Sequence, residues 1–185
     1  MKALLCLVLS LSILAPAAVS AGEVLGPELR LDGTLPLSLG VPLQVPIDFL
    51  ANGFTISAIV FSLDLDLDRL DFDPTDANGD GVPDAVHFPF GTPGLVMVSF
   101  DAGDTDGELD FLLANLSGLP LPEGLLVEIE LTPTRNGWLA SHIAFATDPP
   151  VSFGDDQGND VPGSTIVTGT TLFADGFESG YLSAW

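Results

Sequence analysis

The residues best placed to do chemistry are the oxygen-bearing side chains of Asp76-Ala77-Asn78-Gly79-Asp80-Gly81-Val82-Pro83-Asp84. Asp76, Asn78, Asp80 and Asp84 stand at positions 1, 3, 5 and 9 of this loop; Gly81 holds position 6, and Val82 at position 7 has a backbone carbonyl to offer. A hard cation such as Ca²⁺ takes about six to eight oxygens, and this spacing turns successive side chains toward one centre while a glycine makes the sharp bend. Two residues depart from the full pattern. His87 holds position 12, where a bidentate acid would close the shell, and Pro83 holds position 8; Asp73 is a nearby acid that could complete it. Asn-Gly and Asp-Gly are also favoured turn dipeptides, so an acidic surface turn is the other reading. Asp101, Asp104 and Asp106 form a second acidic group, and Asp155, Asp156, Asn159 and Asp160 a third. Both read first as hairpin turns.

Signals for catalysis are poor. His87 and His142 are the only histidines, the only cysteine is Cys6, and no Gly-x-Ser-x-Gly elbow occurs. Nucleophilic and zinc chemistry therefore lack their usual residues. Acid pairs are so plentiful that a glycosidase pair could be drawn almost anywhere, but that chemistry needs a cleft, and a chain without long lid segments rarely builds one. The expectation is a chain that is not an enzyme.

The elements that must hold the loop read as strands. Val41, Leu43, Val45, Ile47 and Phe49 alternate with Pro42, Gln44, Pro46 and Asp48, the period-2 mark of a strand with one face on a core. Ala51-Asn52-Gly53 is a turn signal, after which Ile59, Phe61, Leu63 and Leu65 alternate with Ser62 and Asp64. Leu95, Met97 and Ser99 alternate with Val96, Val98 and Phe100, which suits a strand that can be buried on both faces. Leu109, Phe111 and Leu113, then Val127, Ile129 and Leu131, mark two more strands, the latter with Glu128 and Glu130 outward. Residues 142–145 and 165–172 complete the set, with a short strand and an Asp/Gly/Asn turn over 151–160 between them, and Glu28-Leu29-Arg30-Leu31 suits a first edge strand. No segment keeps a helical apolar stripe, and turn signals separate the strands, so the fold class is all-β, an antiparallel β-sandwich of jelly-roll type. Val45, Ile47, Phe61, Leu63, Val127 and Ile129 are the expected core.

Composition bounds the rest. Met1-Lys2, an apolar run from Ala3 to Leu14 and the mostly small residues up to Ala21 read as a secretory signal peptide, 1–21. Without it the chain keeps no cysteine, so it uses no disulfides in an oxidising compartment. It also keeps no lysine, and Arg30, Arg69 and Arg135 are its only basic residues against 26 acidic ones. Phosphate recognition needs cations, so nucleic acid is excluded as a partner. Anionic membrane surfaces are unfavourable. Acidic excess suits solubility, divalent cations or a basic or neutral partner, met on a face to which the strands carry Asp64, Glu128 and Glu130 outward. Residues 22–172 are long enough for one domain. The tail, 173–185, carries Phe173, Phe177, Tyr181 and Trp185 at four-residue intervals around Asp175 and Glu178. It reads as a mobile tail, the opening strand of a further module, or a sorting signal.

The order of parts from Val41 to Phe72 resembles one family, the cohesin-like β-sandwich modules. Its pattern of apolar strand, short turn, Phe-x-Leu-x-Leu-Asp, three residues and Leu-x-Phe falls on Phe61, Leu63, Leu65, Asp66, Leu70 and Phe72. The hairpin at 151–160 is similar to the late hairpin of such modules, and the likeness covers roughly Leu39 to Leu172. The Asp76 loop in turn resembles those of EF-hands, dockerins and thrombospondin type 3 repeats. The cohesin resemblance implies a secreted or cell-surface, non-catalytic binding or scaffolding module linked to polysaccharide-degrading assemblies, with a dockerin-like protein partner. Two other readings are a carbohydrate-binding module, which would recognise polysaccharide on a row of exposed aromatics, and a structural surface or matrix protein stiffened by calcium.

Overall fold

The alternating segments become strands of two facing sheets in the computed structural model, which describes residues 25–91, 94–101, 103 and 107–169. The expected signal peptide and aromatic tail, and Asp104 and Asp106, lie outside the described residues.

One sheet is built from β1 (Glu28–Asp32), β3 (Leu43–Leu50), β5 (Leu70–Asp71), β6 (Val86–His87), β9 (Gly124–Pro133) and β14 (Ser164–Thr168). Its order is β14-β1-β3-β9-β5, with β6 also on β9. The other sheet takes β4 (Ile56–Leu65), β7 (Leu95–Asp101), β8 (Glu108–Ala114), β11 (Ile143–Phe145), β12 (Ser152–Asp155) and β13 (Asp160–Val161), in the order β13-β12-β4-β8-β7, with β11 also on β4. A two-stranded ribbon of β2 (Pro36–Leu37) and β10 (Gly137–Trp138) caps one end. All pairings are antiparallel except β1 with β14.

Alternation explains the layers. On β3, Val45, Ile47 and Phe49 point inward, and on β9 so do Val127, Ile129 and Leu131; on β4 and β8 the inward set is Ile59, Phe61, Leu63, Leu109, Phe111 and Leu113. All of these are buried, so the six core residues expected from the pattern lie in one core. Phe61 and Phe111 stack at 4.6 Å between centroids, and Phe145 meets Phe61 edge-on at 6.1 Å. Phe49 and Phe153, one from each sheet, stack at 6.2 Å and tie the layers together. Asn52 at φ 51° and Gly53 at φ 89° make the expected turn, which hands the chain from one sheet to the other.

Three expectations are corrected. The strand at Glu28–Asp32 is interior, because β14 returns from more than a hundred residues away and pairs with it in parallel register, Leu29 opposite Thr165. The strand at Leu95–Asp101 is an edge strand rather than one buried on both faces: Met97 is 59% exposed, while Val96, Val98 and Phe100 turn toward the core. Asp64 does not share a face with Glu128 and Glu130. They belong to different sheets and point away from one another's layer.

Candidate functional site

The Asp76 loop connects β5 to β6. Its aspartates fold the loop on itself, because short acceptor side chains reach backbone N–H groups a few residues ahead. Asp76 Oδ1 accepts from the N–H of Gly79 at 2.7 Å and of Asp80 at 3.2 Å, and Oδ2 accepts from Gly81 at 2.8 Å. Asn78 Oδ1 accepts from Asp80 N at 2.8 Å, Asp80 Oδ1 from Val82 N at 2.9 Å, and Asp84 Oδ2 from Ala77 N at 3.1 Å. The Asp84 N–H bonds the Thr75 carbonyl at 2.8 Å and closes the neck. Gly79 and Gly81 sit at φ 74° and 87°, a region that Cβ-bearing residues avoid, which accounts for glycine at the bend. The Gly81 N–H, with those of Gly79 and Asp80, holds the Asp76 carboxyl below its ordinary value. Asp73 is held low by the Thr75 hydroxyl first and by the Thr75 N–H after it.

The donor set is right in kind for a hard cation. In arrangement, its side-chain oxygens serve backbone N–H groups, and no group of three or more His, Cys, Asp or Glu among the described residues stands close enough together to hold a metal ion. His87, at loop position 12, lies on β6 opposite Glu128. The third acidic group is a hairpin turn: Asp155 Oδ1 accepts from Gln157 N at 2.9 Å and Asn159 N at 2.8 Å between β12 and β13. Asp101 Oδ1 likewise accepts from Gly103 N at 2.7 Å.

Near the far end of β4, His142 Nδ1 lies 2.9 Å from Asp66 Oδ2 beside an open groove of about 520 Å³. The Asp66 N–H bonds the His142 carbonyl at 3.0 Å, so the pair fastens the loop after β4 to the turn before β11.

The feature that single-strand reading missed is the outer face of the β4 sheet, since it exists only once β12, β4, β8 and β7 are in register. Cross-strand rows put Gly154, Ala58, Ala114 and Leu95 side by side, and next to them Ser152, Val60, Leu112 and Met97. The following rows are Ser62, Asp110 and Ser99, then Asp64, Glu108 and Asp101, with Ala144 of β11 beside Asp64. The Ser62 hydroxyl donates to Asp110 Oδ1 at 2.5 Å. The face therefore has two halves, one apolar and built from small or aliphatic side chains, the other carrying four carboxyl groups and no base. Each β pair presents its side chains at a spacing of about 5 Å across strands, so the apolar half is a continuous surface. The outer face of the β3 sheet differs. It carries Gln44, bonded to Glu130 at 2.7 Å, with Pro46, Asp48, Glu128 and Arg30, the last paired with Glu28.

No protein-family model and no curated protein matches this sequence. Among solved structures the chain is similar to the cohesin of a CaDoc0917–CaCohA2 complex, at 10% identity and a TM-score of 0.51, over 76% of this chain and 94% of that one. It is also similar to CaCohA2 from Clostridium acetobutylicum in solution, at 11% identity and a TM-score of 0.46 over 80% and 94%. A third similar structure is the cohesin module of a family 33 glycoside hydrolase from Clostridium perfringens, at 10% identity and a TM-score of 0.45 over 76% and 90%. The fold is cohesin-like: an all-β antiparallel sandwich of jelly-roll type, as the sequence pattern implied.

Proposed function

We propose that this chain is a secreted, non-catalytic binding module that docks a protein partner on the outer face of the β4 sheet. The observation that carries the reading is the two-part face itself. Residues Ala58, Val60, Leu112, Ala114, Leu95 and Met97 supply desolvatable area, and Asp64, Asp101, Glu108 and Asp110 supply a band of one charge beside it. Apolar centres give affinity, while complementary charge at the margin gives orientation and on-rate. The fitting partner presents apolar side chains flanked by Lys or Arg. A dockerin-type module is the class favoured by the likeness to a cohesin solved in complex with CaDoc0917. The test is capture from the host's secreted fraction on immobilised chain, followed by binding at two salt concentrations. A basic partner that associates more slowly as salt rises supports the reading, and salt-independent capture of an acidic partner contradicts it.

For the Asp76 loop we propose weak calcium binding that stiffens the β5–β6 connection. The oxygen-only donor set and the glycine bend favour it. The absence of an acid at position 12 places affinity at the weak extracellular end, about 10⁻⁴ to 10⁻³ M.

A further inference from the structure

The end of the sandwich capped by the β2–β10 ribbon carries an exposed apolar corner. Trp138 lies opposite Pro36 across the ribbon and is 62% exposed. Leu39 and Val41 follow in the chain, 63% and 56% exposed. They are held there by Leu39 N to Asn136 Oδ1 at 2.9 Å and Gly40 N to the Pro133 carbonyl at 2.8 Å. Two of the three arginines outside the expected signal peptide meet at this corner: Arg135 is in the β9–β10 turn, and the Thr134 N–H bonds the Arg69 carbonyl at 2.8 Å. Neither guanidinium has an ion pair among the described residues.

The chain also leaves the described fold here. Thr168 ends β14 against Gly33, which also packs against Ala140, two residues from Trp138. Gly169 packs on Thr34, two residues from Pro36. Phe173 lies four residues further on, so an extended chain carries it at most about 14 Å from Gly169. The segment that carries Phe173, Phe177, Tyr181 and Trp185 is therefore linked to this corner by a short tether, which raises its effective concentration there. Between them stand Asp175 and Glu178 and no base. On a protein of net charge −22, an acidic segment is repelled nearly everywhere; Arg69 and Arg135 offset that repulsion at this corner, where Asp32, bonded to Thr34 and Thr168, and Asp68, whose carbonyl accepts from the Thr134 hydroxyl, also stand.

We propose that the corner formed by Pro36, Leu39, Val41 and Trp138 is the docking surface for the chain's own aromatic segment, 173–185, oriented by Arg135 and Arg69 against Asp175 and Glu178. Docking would make the ribbon end an intramolecular interface, on a different surface from the β4 sheet face.

The test uses the full chain with Trp185→Phe, which leaves Trp138 as the sole tryptophan. Trp138 emission and its quenching by acrylamide are compared with those of the same chain carrying Phe173→Ser, Phe177→Ser and Tyr181→Ser. The expected result is shorter-wavelength emission and several-fold weaker quenching in the first chain, both lost in the second while the far-ultraviolet circular dichroism is unchanged. Arg135→Glu in the first chain is expected to release part of the protection. Equal quenching in the two chains overturns the proposal. So does protection that disappears on dilution, which would mean that a second copy covers the corner.

Discussion

Replacing Phe111 with Ala is the sharpest probe of the packing that makes the β4 sheet face possible. Phe111 is 1% exposed and stacks on Phe61 at 4.6 Å with the rings 9° from parallel. Phe-to-Ala changes in a core cost about 3–5 kcal/mol, because transfer free energy is lost and a cavity is left. The aromatic pair itself contributes about 0.5–1.5 kcal/mol beyond area. Phe111→Ala, Phe61→Ala and the double variant therefore form a cycle. Each single change should cost about 3–5 kcal/mol, and the double should cost less than their sum, with coupling above about 0.5 kcal/mol. Urea unfolding followed by circular dichroism measures it, with m held constant as the sign that only stability changed. For a chain of this size each kcal/mol moves Tm by about 2–4 °C, so the single variants should melt about 6–20 °C lower. A single-variant loss below about 1 kcal/mol, or additivity within about 0.3 kcal/mol, would refute the stacked core.

Millimolar calcium against chelator should raise Tm slightly, a stabilisation of about 1 kcal/mol by mass action, and Asp80→Ala should abolish the shift; a wild-type Tm indifferent to calcium leaves the loop as an acidic turn. Asp32, Asp73, Asp76 and Asp155 all have carboxyls held below their ordinary 3.8, by Thr34, Thr75, Gly81 and Asn159 respectively. A depressed folded value stabilises the fold above the unfolded value, and that stability is lost as pH falls from near 4 through the folded values. Urea midpoints should therefore drop below pH 4, and Asp155→Asn, which already lacks the charge, should show a shallower drop; an unchanged slope contradicts that assignment.

Much of the fold was legible because burial is one-sided. Val45, Ile47, Phe61, Leu63, Val127 and Ile129 advertise their face by period 2, since a residue cannot change face without shifting register. The bend at Gly81 was equally local, a matter of φ at one position. What local pattern cannot carry is pairing. The apolar strand at Leu95–Asp101 looks like a central strand until β8 is found to be its only neighbour in the sheet order. The interior position of Glu28–Asp32 depends on β14, which meets it only in the folded chain. The candidate docking face was hidden for the same reason. Val60, Leu112 and Met97 are scattered through 53 residues of sequence, and each is an unremarkable aliphatic position by itself. Asp64 and Glu128 could be read as outward, but not as belonging to opposite sheets. The paired His142 and Asp66 were likewise invisible, because 76 residues separate them.

The central claim, that the outer face of the β4 sheet is the docking face, is tested most directly by comparing partner affinity for two single variants. Leu112→Glu places a charge in the middle of the apolar half, and Glu130→Ala alters the opposite sheet. The account predicts that Leu112→Glu raises Kd by more than tenfold, above about 1.4 kcal/mol, while Glu130→Ala leaves Kd unchanged and both variants keep the wild-type Tm. A Kd unaffected by Leu112→Glu, or a loss confined to Glu130→Ala, would contradict it.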